Sequence, residues 1–177
     1  MELARRGAVV TAVDLSRAMV ERLERKAADV GLAAVSGVVA PVEHLELPPT
    51  SVDLVVSNYA LHHLRDRDKA SVVSNAALWL RPGGRLVVGD MMFGRGSTSR
   101  DRAIIRSKAR TLAARGPGGW WRLTKNVVRF GLRIQERPVT MEGWTRYLEE
   151  AGFIDVVAVP VVAEAAVVTG TKPQDPT

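Results

Sequence analysis

Apolar and polar positions along the chain alternate between two periods, one close to two residues and one close to 3.6. Ala8 to Val13 (AVVTAV) is a short, β-branched run that predicts a buried parallel strand. The run stops at Asp14-Leu15-Ser16, and Ser16 is placed to cap a helix that reaches about Asp29. Met19, Val20, Leu23 and Ala27 recur at helical spacing on its apolar face. Gly31 ends that helix, just as Arg6-Gly7 reads as the end of an earlier one. Ala33 to Val39 supplies a second strand, a loop with Pro41, Pro48 and Pro49 follows, and Val52–Ser57 supplies a third. A helix is expected near Asp66–Leu80, stopped by Arg81-Pro82-Gly83-Gly84, with a fourth strand at Arg85–Met91. Beyond a basic helical stretch come a helix over Thr140–Ala151, strands at Ile154–Val159 and Ala165–Gly170, and a frayed tail over Lys172–Thr177. Strands alternating with helices at this spacing predict βαβ units and an α/β fold with a doubly wound parallel sheet.

Composition narrows the chemistry. The 177 residues suit one domain with a real core, and 46% of them are hydrophobic. No apolar run approaches the roughly 20 residues that span a bilayer. The charged start, Met1 to Arg6, is unlike a signal peptide, so a cytoplasmic domain is expected. With no cysteine, disulfides, thiolate metal sites and cysteine nucleophiles are excluded. Histidine occurs only at 44, 62 and 63, too few for a multi-histidine metal cage. The net charge of +6 sits in one segment: residues 95–137 hold twelve Lys/Arg against only Asp101 and Glu136.

Four pieces of sequence, in order, carry a family likeness: AVDLSRAMVER (12–22), SVDLVVSNYALHHL (51–64), LRPGGRLVVGD (80–90) and WTRYLEEAGFIDV (144–156). Together they resemble the class I S-adenosylmethionine (SAM)-dependent methyltransferases, and especially their small-molecule, type 11-like branch. The resemblance covers most of residues 1–94 and 138–171. It implies a Rossmann-like class I methyltransferase sheet, N-terminally truncated and with a helical cap insertion, all as a single methyltransferase-like domain over 1–177.

In an open parallel sheet ligands bind beyond the carboxyl ends of the strands. Asp14 stands at such an end, and the resemblance implies that it accepts both ribose hydroxyls of SAM; the competing reading is a helix-dipole partner. Leu15 and Ser16 go with it. Met19 packs either on adenine or in the core. Val42 and Glu43 match the loop bordering adenine, where Pro41 replaces the aspartate common in the family. Asn58 is expected to face the amino-acid portion of SAM. His62 and His63 follow, and an imidazole with an ordinary pKa near 6.5 suits a general base for a hydroxyl acceptor. Packing or structural hydrogen bonding is the competing role for both.

A complete domain of the family opens with a strand and a glycine-rich turn about 20 residues before the acidic residue, where a helix N-terminus meets the ligand. Only thirteen residues precede Asp14. The resemblance makes that first strand central, so its loss leaves two apolar strand edges unpaired. Either Met1 lies inside a longer coding sequence, which the mid-helix character of ELARRG favours, or a short chain closes its sheet directly or with a partner.

The basic segment, 95–138, reads as an inserted helical pair. Arg102, Arg106 and Arg110 share one helical face, while Arg122, Lys125, Arg129 and Arg133 form a basic side opposite Trp120, Leu123, Val127, Phe130 and Ile134. It is expected to be a cap over a small-molecule acceptor. Contact with an anionic membrane surface through 101–134 and self-association into a homo-oligomer are further partner expectations; nucleic acid is disfavoured, for want of a binding module. The expected function is SAM-dependent methylation of a small molecule, in question for the truncated chain. The alternative is a non-catalytic binding or regulatory domain using its basic segment.

Overall fold

The structure, a computed structural model, describes residues 1–93, 137–162 and 164–174, together with residues 99, 102, 103, 106, 107 and 110. They fall into two compact units, Met1–Leu47 and Pro48–Thr177.

In the first unit, α1 (Glu2–Arg5) leads through Gly7, at φ +89°, into β1 (Val10–Asp14). Such a left-handed backbone is what makes glycine the favoured residue past a helix end. Helix α2 (Arg17–Asp29) follows, then β2 (Val35–Val39), which pairs with β1 in parallel from Val10↔Val35 to Asp14↔Val39. Of the four apolar positions read from the sequence, Val20 and Ala27 are buried, Leu23 is half-buried and Met19 is exposed. Ser16 takes the N-cap position of α2 without making a side-chain cap bond. Helix and sheet approach closely at Gly37, whose N–H donates to Glu24 Oε1 at 2.9 Å.

The second unit is a four-stranded sheet in the order β3-β4-β6-β5, with β3 at Val52–Asn58, β4 at Leu80–Met91, β5 at Ile154–Val162 and β6 at Ala165–Thr171. β3 and β4 are parallel, while β6 runs antiparallel to both neighbours. Only two residues separate β5 from β6, and a link that short joins antiparallel strands alone. Helix α3 (Asp66–Trp79) buries Val72, Val73, Ala76 and Trp79, and α4 (Met141–Glu150) buries Trp144 and Leu148. They cover the face carrying Leu86, Val88, Ala166 and Val168, each exposed by 2% or less. Complete burial stabilises a Val or Leu side chain by about 1.5–3 kcal/mol, and the Ala166 methyl by less. On the opposite face Val56, Val157 and Val159 are each about half exposed.

Several strand bounds move by two or three residues from the sequence reading, β1 starting at Val10 rather than Ala8 and β5 running to Val162 rather than Val159, and the largest change is at β4. α3 stops at Trp79, and the ladder of β4 begins at Leu80 rather than Arg85. Arg81-Pro82-Gly83-Gly84 does turn the chain, with Gly83 at φ +75°, and the register shifts from Val52↔Leu80 to Leu54↔Arg85. Backbone bonds from Gly83 N–H to Lys172 C=O and from Lys172 N–H to Gly84 C=O draw this bulge into the sheet. Among the described residues β1 pairs only with β2 and β3 only with β4, so each has one edge without a strand. No helix among them is long and apolar enough to cross a membrane.

Candidate functional site

β1 and β2 end side by side. Asp14 closes β1 opposite Val39, and the Ala40 N–H donates to the Asp14 carbonyl at 3.2 Å. The exposed Asp14 carboxylate receives the Ser16 N–H on Oδ1 at 2.8 Å, which orients it across the start of α2. Thus the short polar side chain bonding two residues on is Asp14, and Ser16 contributes its backbone. Leu15 is 73% and Met19 50% exposed. That exposure leaves the core reading of Met19 without support and makes it available to a flat ligand. Val42 and Glu43, both half-buried, lie on a 3-10 turn (Val42–His44) just after β2. The six candidates of this unit therefore gather at the carboxyl ends of two parallel strands.

The second unit gathers the others at the equivalent ends of β3 and β4. Asn58 closes β3 opposite Gly89, where an added Cβ would stand 3.2 Å from Asn58 Oδ1. Tyr59 turns the chain with φ +52°, its N–H donating to Gly89 C=O at 2.8 Å. A 3-10 turn (Leu61–His63) then buries His62 and exposes His63, their rings 4.0 Å apart between centroids.

His62 is held by Asp90. Its Nδ1 lies 2.6 Å from Asp90 Oδ1, and its backbone N–H donates to Oδ2 at 2.9 Å. The Met91 N–H adds a 2.7 Å bond to Oδ1. Both side chains are buried, at 7% and 0% exposure. Asp90 was not among the residues singled out from sequence, although a carboxylate ending the apolar run RLVVGD is a visible signal of a buried polar role. A second omission is Lys69, whose side chain is fully buried in α3. Its Nζ donates to Asp66 Oδ1 at 3.1 Å and to the Arg137 carbonyl, while the Arg137 N–H donates to His62 C=O at 2.7 Å. The chain returning at Arg137 is thereby clasped between α3 and the histidine turn.

The donor set fits a nucleoside at one end. An exposed carboxylate with one oxygen engaged can accept from vicinal hydroxyls, whereas the turn after β2 opens on Pro41, which offers no acceptor side chain. Among the described residues no group of three or more His, Cys, Asp or Glu is arranged to hold a metal. Of the insertion, residues 102, 103, 106, 107 and 110 are helical, with Arg102, Arg106 and Arg110 exposed as their spacing predicts; the second predicted helix lies outside the described residues.

Parallel strands whose carboxyl ends carry these side chains, beside an antiparallel strand, define a Rossmann-like α/β protein. Residues 1–88 match the family model described as "Methyltransferase domain". An uncharacterised methyltransferase of Geobacillus sp. (strain WCH70) is 30% identical over 107 residues, covering 60% of this chain and 43% of that protein. The 27-O-demethylrifamycin SV methyltransferase of Amycolatopsis mediterranei is 40% identical over 87 residues, 48% of this chain and 31% of its own. Among solved structures, the Burkholderia thailandensis 1,6-didemethyltoxoflavin-N1-methyltransferase, with 1,6-didemethyltoxoflavin and S-adenosylhomocysteine bound, superposes with a TM-score of 0.62 at 21% identity, over 98% of this chain and 65% of that one. Over residues 1–88 the chain is thus similar to the methyltransferase-domain family, and its fold is that of the SAM-dependent methyltransferases. It spans less than half the length of the two curated relatives above.

Proposed function

We propose that this chain is the core of a SAM-dependent methyltransferase acting on a small molecule. The observation that carries the reading is Asp14: an exposed carboxylate at the carboxyl end of β1, oriented by the Ser16 N–H, within the residues that match the family. Its oxygens accept the ribose hydroxyls of SAM, with Leu15, Ser16 and Met19 beside them. Val42 and Glu43 border the adenine, and Asn58 meets the amino-acid portion. The sulfonium of SAM supplies an activated methyl group for in-line transfer. Positioning therefore matters more than a nucleophile on the protein.

The protein's own contribution to the proton balance falls to the histidine turn. His62, and less directly the exposed His63, take the proton from a hydroxyl acceptor as it is methylated. One relative and one structural neighbour support the small-molecule class, since the rifamycin and toxoflavin enzymes are named for such acceptors. The exposed Arg102, Arg106 and Arg110 also suit contact with an anionic membrane surface.

Calorimetric titration with S-adenosylhomocysteine tests this, using the 177-residue chain and an upstream-extended version. Binding by either, weakened at least about 100-fold by Asp14→Ala, is expected from the loss of two charge-assisted hydrogen bonds. If both forms are folded and neither binds, the methyltransferase reading is wrong.

A further inference from the structure

One carboxylate grips His62 twice. Asp90 accepts the residue's backbone N–H on Oδ2 and faces its ring Nδ1 from Oδ1, and Oδ1 also accepts the Met91 N–H. Both Asp90 oxygens thus already act as acceptors toward backbone donors, and the group needed opposite Nδ1 is a proton on the ring. An imidazole that carries its proton on Nδ1 presents a lone pair at Nε2. The Arg137 N–H on the His62 carbonyl and the neighbouring His63 ring restrict the turn further. The pair is nearly sealed, so bulk water does not compete for these bonds.

We infer that Asp90 is a positioning residue, which fixes His62 as the Nδ1–H tautomer and makes Nε2 its basic atom. The inference rests on the reading of His62 as the proton acceptor in methyl transfer. An Nε2–H tautomer would offer a donor where that reading needs a lone pair. A carboxylate that merely fastened the turn to β4 would need only the His62 and Met91 N–H groups and would leave the ring nitrogens free of it, which is why the tautomer separates the two roles.

The test is long-range 1H–15N NMR of the 15N-labelled chain, recorded where the two His62 ring nitrogens resonate well apart, as those of a neutral imidazole do. The expected spectrum shows His62 Nδ1 in the protonated, pyrrole-like range and Nε2 in the unprotonated range. Asp90→Asn, which can turn an amide N–H toward Nδ1, is expected to shift His62 toward the Nε2–H form, and Asp90→Glu to restore Nδ1–H. A wild-type Nε2–H ring, as would follow if Asp90 itself carried the proton, overturns the inference; so does a folded Asp90→Asn that keeps the wild-type tautomer. The wild-type spectrum decides the matter even if Asp90→Asn fails to fold. Titration of the wild-type chain with S-adenosylhomocysteine is scored separately. An Nδ1–H ring in a protein that binds no S-adenosylhomocysteine, either as the 177-residue chain or upstream-extended, supports the positioning while removing the proposed function.

Discussion

Gly37 is the place where the packing of α2 on β2 leaves no room for a side chain. A Cβ added there would stand 2.2 Å from Val20 Cγ1 and 3.1 Å from Glu24 Oε1. Val20 cannot swing aside, because a β-branched residue in a helix is confined to essentially one χ1 rotamer. Gly37→Ala must therefore push the helix outward by more than an ångström to reach an ordinary carbon–carbon separation of about 3.5 Å. The overpacking costs about 1–3 kcal/mol. Retreat of the helix also stretches the 2.9 Å bond from the Gly37 N–H to Glu24, worth about 1 kcal/mol more. Together these predict about 2–4 kcal/mol of destabilisation. Val20→Ala alone removes the equivalent of two methylenes and is expected to cost about 1.6 kcal/mol. In the double variant the new methyl occupies the space that Val20 gives up, so its cost should fall well below the sum, with a coupling of about 1–2 kcal/mol. Urea denaturation of the four proteins, followed by circular dichroism, measures the cycle. Additivity within about 0.5 kcal/mol would refute the steric account. The same displacement moves Met19, so Gly37→Ala should weaken S-adenosylhomocysteine binding and Val20→Ala should restore part of it.

Two further expectations concern single residues and a third concerns an arginine face. Lys69→Met removes a buried cation that bonds Asp66 and the Arg137 carbonyl; Asp66 is 38% exposed and regains water, so the cost is that of the carbonyl losing this donor, about 1–3 kcal/mol in urea melts, whereas no measurable loss would show that the clasp is dispensable. Thr140→Ala deletes the side-chain acceptor of the Gly143 N–H at the start of α4 and should cost about 1 kcal/mol, with Thr140→Ser nearly neutral. Co-sedimentation with vesicles of phosphatidylglycerol and phosphatidylcholine should decline when Arg102, Arg106 and Arg110 are all changed to Gln; binding indifferent to that change removes the membrane role of this face.

Local periodicity made most elements legible. Strands near 10–14, 35–39 and 52–58, the helix after Ser16 and the helix after Thr140 follow from β-branched runs, caps and 3.6-residue spacing, all of which act over a few residues. The placement of Asp14 and Asn58 at strand ends was likewise readable, because Asp14 stops the run AVVTAV and Asn58 follows Ser57 where the run LVV ends. The PGG segment was read as a pure turn because its pairing partners, Lys172 and the end of β6, lie about ninety residues away in sequence. Met19 illustrates the same limit: helical spacing placed it on the apolar face, yet its exposure depends on how far the sheet beneath α2 extends.

The sequence by itself determined the α/β class, the family likeness and the polar residues at the carboxyl ends of β1 and β3, since these rest on order and short-range pattern. Only the tertiary structure decided which of the two histidines is buried, and that Asp90, 28 positions along, is what holds it. It also decided that Lys69 is sealed inside α3 against Arg137. Pairings of this kind depend on which strand lies beside which, and the burial that gives them their strength exists only once the layers have closed.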